Sequence, residues 1–207
     1  MIQNMIHKLA ELPEIFILLR RLLEDDFGGE KQVIAREFAG TDGPVLDVGC
    51  GTGELSPLSE LEKYTGIEIS PAYIRYAQTK YSHSFHVMDA TRMEFANASF
   101  SRALIVGVLH YLSNNKSCKV VNEIHRVLRP RGRLLLLEDV ILAQHGHPIG
   151  RRIHKLDKDD FIRSRAGYHQ LFKPNFIVIK EYLMRSGVCD YAVFVLEKRE
   201  RGEDHVG

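Results

Sequence analysis

Neither sign of charge dominates this chain. Its 28 Lys and Arg face 27 Asp and Glu, for a formal net charge of +1. That balance argues against a surface built as a whole to hold nucleic acid, and leaves a local basic patch as the only route to such a partner. Cysteine is scarce: Cys50, Cys118 and Cys189 form an odd, widely spaced set. Such a set excludes a disulfide framework and a zinc ribbon, and makes a reducing cytoplasm the default location. No uncharged apolar run reaches the roughly 18 residues that a spanning helix needs. Internal repeats and low-complexity tracts are missing too. The first 27 residues are apolar-rich, but Lys8, Glu11, Glu14, Arg20 and Arg21 interrupt them, so no signal peptide is expected. What is present is 44% hydrophobic and 27% charged residues over 207 positions, enough core for a folded chain and, by length, for one domain over 1–207.

After Pro13, the residues Ile15, Leu18, Leu19, Leu22 and Leu23 recur at helical spacing. They predict an amphipathic helix that packs on the domain, serves as a lid, or touches a membrane surface with the help of Arg20 and Arg21. Residues 1–43 thus read as an N-terminal helical arm, with a second short helix around Val33, Ile34 and Phe38. From there strands and helices alternate. Val45–Val48, Tyr64–Ile69, Ser84–Met88, Arg102–Val108 and Arg133–Leu137 are strand-like, and a helix is expected from about Glu54. Ser70 and Pro71 start another helix as N-cap and first residue. A third runs from Asn114 or Asn115 to Pro130, with Val120, Val121, Ile124, Val127 and Leu128 as its apolar face. Apolar strands separated by helices imply a parallel sheet covered on both faces. The last two runs, Phe176–Met184 and Tyr191–Leu196, are joined by too few residues for a crossover. They must form a hairpin, so the last strand is antiparallel.

The first strand ends in Asp47, and Gly49, Gly51 and Gly53 follow at every second position. Glycine permits positive φ and close backbone approach, and a following helix start offers free N–H groups to an anionic ligand. The spacing is G-x-G-x-G, which differs from the G-x-G-x-x-G of dinucleotide binders. Glu68 ends the second strand, where an acid accepts from ribose hydroxyls in doubly wound folds. Asp89 follows the third strand beside Ala90, and its carboxylate can accept from an exocyclic amine. Three acids at three successive strand ends lie along the sheet edge where such folds bind ligands.

These stretches resemble the class I S-adenosylmethionine-dependent methyltransferases, of the small type 11-like kind. Val45 to Gly53 looks like their first motif, Gly66 to Ser70 the second-strand motif, Met88-Asp89-Ala90 the adenine-contacting motif, and Leu128 to Leu134 the approach to the fifth strand. Arg131 stands where glycine is commoner. The resemblance covers about residues 45–140. It implies an α/β, three-layer, doubly wound sheet of seven strands in the order 3-2-1-4-5-7-6, strand 7 antiparallel. It implies S-adenosylmethionine as cofactor and S-adenosylhomocysteine as product. Asp47, Gly49, Cys50, Gly51 and Gly53 would form the loop around the methionine moiety. Glu68 would hold the ribose, Ile69 would pack on adenine, Asp89 and Ala90 would meet its edge, and Gly107 would line the sulfonium end.

A sulfonium donor needs mainly an acceptor held in line, with a general base where the acceptor carries a proton. At the end of the fourth strand, His110 is the candidate base or acceptor-orienting group, and Tyr111 a candidate acceptor contact. The Asn/Asp-Pro-Pro-Tyr/Phe pattern of enzymes that methylate base or glutamine amide nitrogens is missing there. Residues 140–175 read as a basic cap on the acceptor side. Between His145 and Lys173 seven Lys and Arg face three Asp, and Arg151 and Arg152 are the candidates for an anionic acceptor. A solvated charged loop is the plain alternative. His145 and His147 lack further ligands at metal spacing, so no metal is expected. The reading is methyl transfer to oxygen or nitrogen of a small-molecule acceptor by a monomer or homodimer. The alternatives are an RNA or protein methyltransferase and, further off, a dinucleotide-dependent oxidoreductase or a silent nucleotide-binding module.

Overall fold

The computed structural model describes residues 12–58, 61, 63–140 and 161–200. Seven strands form one sheet: β1 (Val45–Val48), β2 (Tyr64–Glu68), β3 (Ser84–Val87), β4 (Phe100–Val106), β5 (Leu128–Asp139), β6 (Phe176–Ser186) and β7 (Cys189–Lys198). Their order is β3-β2-β1-β4-β5-β7-β6. The pairs from β3 to β5 are parallel, and β7 runs antiparallel to both β5 and β6. This is the sheet implied by the motifs, with the hairpin where the short connection demands it.

Five helices accompany it among the described residues: α1 (Pro13–Leu23), α2 (Gly28–Phe38), α3 (Pro71–Lys80), α4 (Asn114–Val127) and α5 (Arg165–Phe172). The strands supply both faces by alternation. Ala103, Ile105, Leu134, Leu136, Ala192 and Phe194 pack with Val120, Val121 and Ile124 of α4 and Tyr168, Leu171 and Phe172 of α5. Their neighbours Leu104, Val106, Leu135, Leu137, Val193 and Val195 pack with Val33, Ile34 and Phe38 of α2 and Ile74 and Ala77 of α3. Leu18, Leu19 and Leu22 of α1 remain exposed, contrary to the apolar face expected of that helix. α1 instead turns inward along Ile17, Arg20 and the following Glu24, because an Arg20–Glu24 ion pair can be buried at that spacing.

Three further boundaries differ from the sequence expectation. No α-helix starts at Glu54. Gly53 to Leu58 makes i→i+3 turns, with Ser56 N–H on Gly53 O and Leu58 N–H on Leu55 O. Pro57 is the cause: it lacks the N–H an α-helix would use and disfavours the helical region for Ser56. α4 stops at Val127, short of Pro130, since Arg129 before that proline is pushed to extended backbone. β5 therefore begins at Leu128 and reaches Asp139, which brings Glu138 into the sheet. α5 was not expected, although Ser164 caps it by accepting from Gly167 N at 3.2 Å. The edge strand β6 carries a bulge between Val178 and Lys180, and the bulge and the lysine both blunt its open edge.

Candidate active site

The C-terminal ends of β1, β2 and β4 open onto a cavity of about 510 Å³. Its walls include Gly49 and Gly51 after β1, Glu68 and Ile69 at the end of β2, Asp89 and Ala90 after β3, Gly107 and Tyr111 after β4, and Lys116 and Val120 on α4. The volume lies within the range that holds a nucleotide-sized ligand, and the position is where doubly wound sheets bind. The glycine loop is fastened underneath, since the N–H groups of Gly49 and Cys50 both donate to Ile67 O, at 2.8 and 3.0 Å. Gly49 has φ +74, and a Cβ there would lie 2.5 Å from Val108 Cγ2. Only glycine lets this loop and the loop after β4 touch.

The two acids at this end are held by their own chain neighbours. Glu68 Oε1 accepts from Ser70 N at 3.0 Å. Asp89 Oδ1 accepts from Thr91 N and Thr91 Oγ1, both at 2.8 Å. Those bonds, the backbone one first, hold the Asp89 carboxyl below the usual carboxylate range. Between the acids, Ile69 is 68% exposed on the cavity wall, an apolar surface available to a flat ring.

Asp47, Cys50 and Gly53 stand differently. Asp47 is 2% exposed and accepts from Tyr64 Oη at 2.7 Å. Burial pushes its carboxyl up to about 7, partly opposed by that hydrogen bond. It lines, with Cys50 and Arg20, a small adjoining cavity of about 20 Å³, room for one water. Burial raises the Cys50 thiol as well. Gly53 lines neither cavity. Its φ of +81, with Phe85 only 2.9 Å from where a Cβ would sit, gives it a packing role.

His110 is 4% exposed and is not on the wall of the large cavity. Its Nδ1 is 3.1 Å from Glu138 Oε2, its Nε2 is 3.6 Å from Asp139 Oδ2, and its ring lies 4.1 Å from that of Tyr111. His110 thus stands behind Tyr111 and off the cavity wall, its ring held between two carboxylates. Tyr111 is on the wall and 61% exposed. Arg151 and Arg152, like His145 and His147, lie outside the described residues. Among the described residues no group of three or more His, Cys, Asp or Glu could hold a metal ion, and no helix is long and apolar enough to cross a membrane.

The sequence reading missed three contributors. Arg20 reaches the cavity from α1, its guanidinium held by Glu24 at 2.7 Å. Its position on the buried side of α1 had no signal, because the leucines pointed to another face. Glu138 and Arg163 organise the loop after β4 from far along the chain. Only the fold brings them there.

Residues 45–132 match a family model described as a methyltransferase domain. An O-methyltransferase, resE, of Aspergillus sclerotiorum is 27% identical over 189 residues, covering 86% of this chain and 71% of the relative. An O-methyltransferase of Pyrenophora dematioidea is 29% identical, covering 69% of this chain and 53% of the relative. The chain thus spans part of the length of each of these relatives. Among solved structures, geranyl diphosphate C-methyltransferase from Streptomyces coelicolor A3(2), solved with Mg2+, geranyl-S-thiolodiphosphate and S-adenosyl-L-homocysteine, superposes with a TM-score of 0.69. It is 12% identical, covering 82% of this chain and 75% of that one, so it speaks for the fold alone. Sheet order, antiparallel hairpin and strand-end cavity define a Rossmann-like fold. Its motifs and the methyltransferase domain matched over residues 45–132 make the chain similar to the class I S-adenosylmethionine-dependent methyltransferases.

Proposed function

We propose that the chain transfers the methyl group of S-adenosylmethionine to oxygen or nitrogen of a small acceptor. The observation that carries this reading is the cavity that joins the glycine loop, Glu68, Asp89 and Gly107 along one sheet edge. The residues suit the donor. Glu68 can accept from ribose hydroxyls, Ile69 offers an apolar face to adenine, and Asp89 can accept from its amine. The Gly49 and Gly51 backbone, with Asp47 beneath it, would hold the methionine part. When bound, the donor supplies an activated methyl on sulfur. The protein's own work is to align an acceptor with that methyl at the Gly107 end and to exclude water. Tyr111 stands at that end as an acceptor contact, with His110 behind it as an orienting group. The relatives named O-methyltransferases support oxygen as the accepting atom.

Titration calorimetry with S-adenosylhomocysteine tests the donor site, with NADH and Glu68→Ala as controls. The expected result is micromolar binding of S-adenosylhomocysteine alone, lost or much weakened in the variant. Folded, ligand-free protein that binds NADH or neither compound would overturn the reading. For the acceptor, Arg151→Ala or Arg152→Ala should raise acceptor KM and leave donor affinity intact. Unchanged kinetics in both would remove the anionic-acceptor role of that segment.

A further inference from the structure

The loop after β4 carries Gly107, Val108, Tyr111 and Leu112, all on the cavity wall. Within it Leu109–Tyr111 forms a single 3-10 turn. Such a turn leaves its first N–H groups and last carbonyls without internal partners, with the positive pole at the former and the negative pole at the latter. In this protein two buried charges of opposite sign stand on the two sides of the turn. Glu138, fully buried at the end of β5, accepts from the N–H groups of Val108 (2.9 Å), Leu109 (2.7 Å) and His110 (3.2 Å), and faces His110 Nδ1 at 3.1 Å. Arg163, 8% exposed, donates from the other side to Leu112 O at 2.6 Å, just past the end of the turn, and to Leu109 O at 2.7 Å, a carbonyl that also accepts from Leu112 N within the turn. Its remaining bonds fix the same neighbourhood: Ser117 Oγ at 3.2 Å, Asn114 Oδ1 at 3.0 Å and Phe161 O at 3.0 Å.

We propose that Glu138 and Arg163 are paired positioning residues that grip the Leu109–Tyr111 turn from its two sides and so set the geometry of the donor site. The inference rests on the donor reading above. Among the described residues, Arg163 has no carboxylate at ion-pair distance, and a guanidinium is rarely buried on neutral acceptors alone. Glu138 acts across the turn from it. Two further contacts carry the effect to the cavity. Val108 fills the space left by the missing side chain of Gly49, so the turn also sets the glycine loop. His110, held between Glu138 and Asp139, lies against the Tyr111 ring at the cavity rim.

A merely structural pair would lower stability and leave ligand affinity alone. The test compares Glu138→Gln, Arg163→Met, Arg163→Lys and the Glu138→Gln/Arg163→Met double variant with Leu128→Ala. Leu128 is buried at the opposite end of β5 and serves as a destabilised control. S-adenosylhomocysteine affinity and hydrogen exchange over residues 107–112 are read for each, the exchange under conditions where every variant is folded. Glu138→Gln and Arg163→Met should each weaken affinity about tenfold, the double variant by less than the product, and Arg163→Lys by an intermediate amount. Exchange over 107–112 should rise in the first two and stay unchanged in the control, whose affinity should stay within about twofold of the wild type. Affinities within about twofold of the wild type in both single variants would overturn the proposal. A wild type that binds no S-adenosylhomocysteine would instead defeat the donor reading. The clamp would then stand or fall on whether exchange over 107–112 rises in the two single variants.

Discussion

The two ends of the large cavity are built on opposite principles. At the end assigned to adenosine, each acid is fixed by a residue two positions further on: Glu68 by Ser70, Asp89 by Thr91. At the end assigned to methyl transfer, the loop is fixed by Glu138, 28 to 30 positions away, and by Arg163, 51 and 54 positions from the carbonyls it caps. A locally held site survives distant changes and costs the fold little to keep. A remotely held one is only as well formed as the sheet and α5 that deliver its partners, so its geometry depends on elements far along the chain.

The largest consequence is in stability. Glu138→Ala leaves the buried N–H groups of Val108, Leu109 and His110 without an acceptor and should lower unfolding free energy by about 3–5 kcal/mol. Asp89→Ala removes an exposed carboxylate bonded within its own turn and should cost under about 1 kcal/mol. Urea titrations of both variants would measure the contrast, and equal losses would break it. Ligand affinity should reverse the order of merit at the adenosine end. Glu68→Ala should weaken S-adenosylhomocysteine binding by about 2 kcal/mol, the scale of charge-assisted hydrogen bonds. Its unfolding midpoint should stay near that of the wild type, because Glu68 anchors only Ser70 N.

The same contrast decides how much could be read from the sequence. The hairpin and the strand-end positions of Glu68, Asp89 and the glycines were legible, since a short connection, strand-end acids and glycine turns are signals of adjacent residues, whereas the sheet order came from the family resemblance. The Ser70-Pro71 helix start is another such signal, and Ser70 Oγ accepts from Tyr73 N as a cap should. What failed needed the third dimension. His110 read as a base or acceptor-orienting group, and nothing nearby in sequence announces the two carboxylates that β5 brings to its ring. Arg20 was hidden by the leucines around it, which advertise an apolar face that the fold leaves exposed. The missing helix after Gly53 is a local failure, since Pro57 was in plain view.

Asp47 sharpens the comparison through pH. It sits in the locally coded motif, yet its environment is the deep interior, and burial lifts its folded value to about 7. An unfolded aspartate titrates near ~3.9. Between those values the folded state keeps a proton that the unfolded chain releases. The stabilisation is therefore complete below the unfolded value and is lost as pH rises through the folded one. Asp47→Asn keeps an acceptor for Tyr64 and has no charge to bury. It should flatten stability between about pH 4 and 8 and gain about 1–2 kcal/mol at the alkaline end. Thermal midpoints of the two proteins across that range would show it, and parallel curves would mean that Asp47 stays ionised in the fold.

The smallest expected effect isolates a purely local rule. Arg131, in the turn that leads into the paired part of β5, has φ +55, a left-handed conformation that costs a non-glycine residue about 1 kcal/mol. The following Gly132 is required as glycine for a separate reason, since a Cβ there would lie 2.8 Å from Arg129 O. Arg131→Gly should raise unfolding free energy by about 0.5–1 kcal/mol, the relief of strain being partly offset by the freer unfolded chain. Arg131→Ala keeps the strained backbone and loses only the side chain, so it should not share the gain. S-adenosylhomocysteine affinity should be untouched in both, because the turn lies at the far end of β5 from Glu138. A gain in Arg131→Ala equal to that in Arg131→Gly would trace the effect to arginine's side chain and remove backbone strain as its cause.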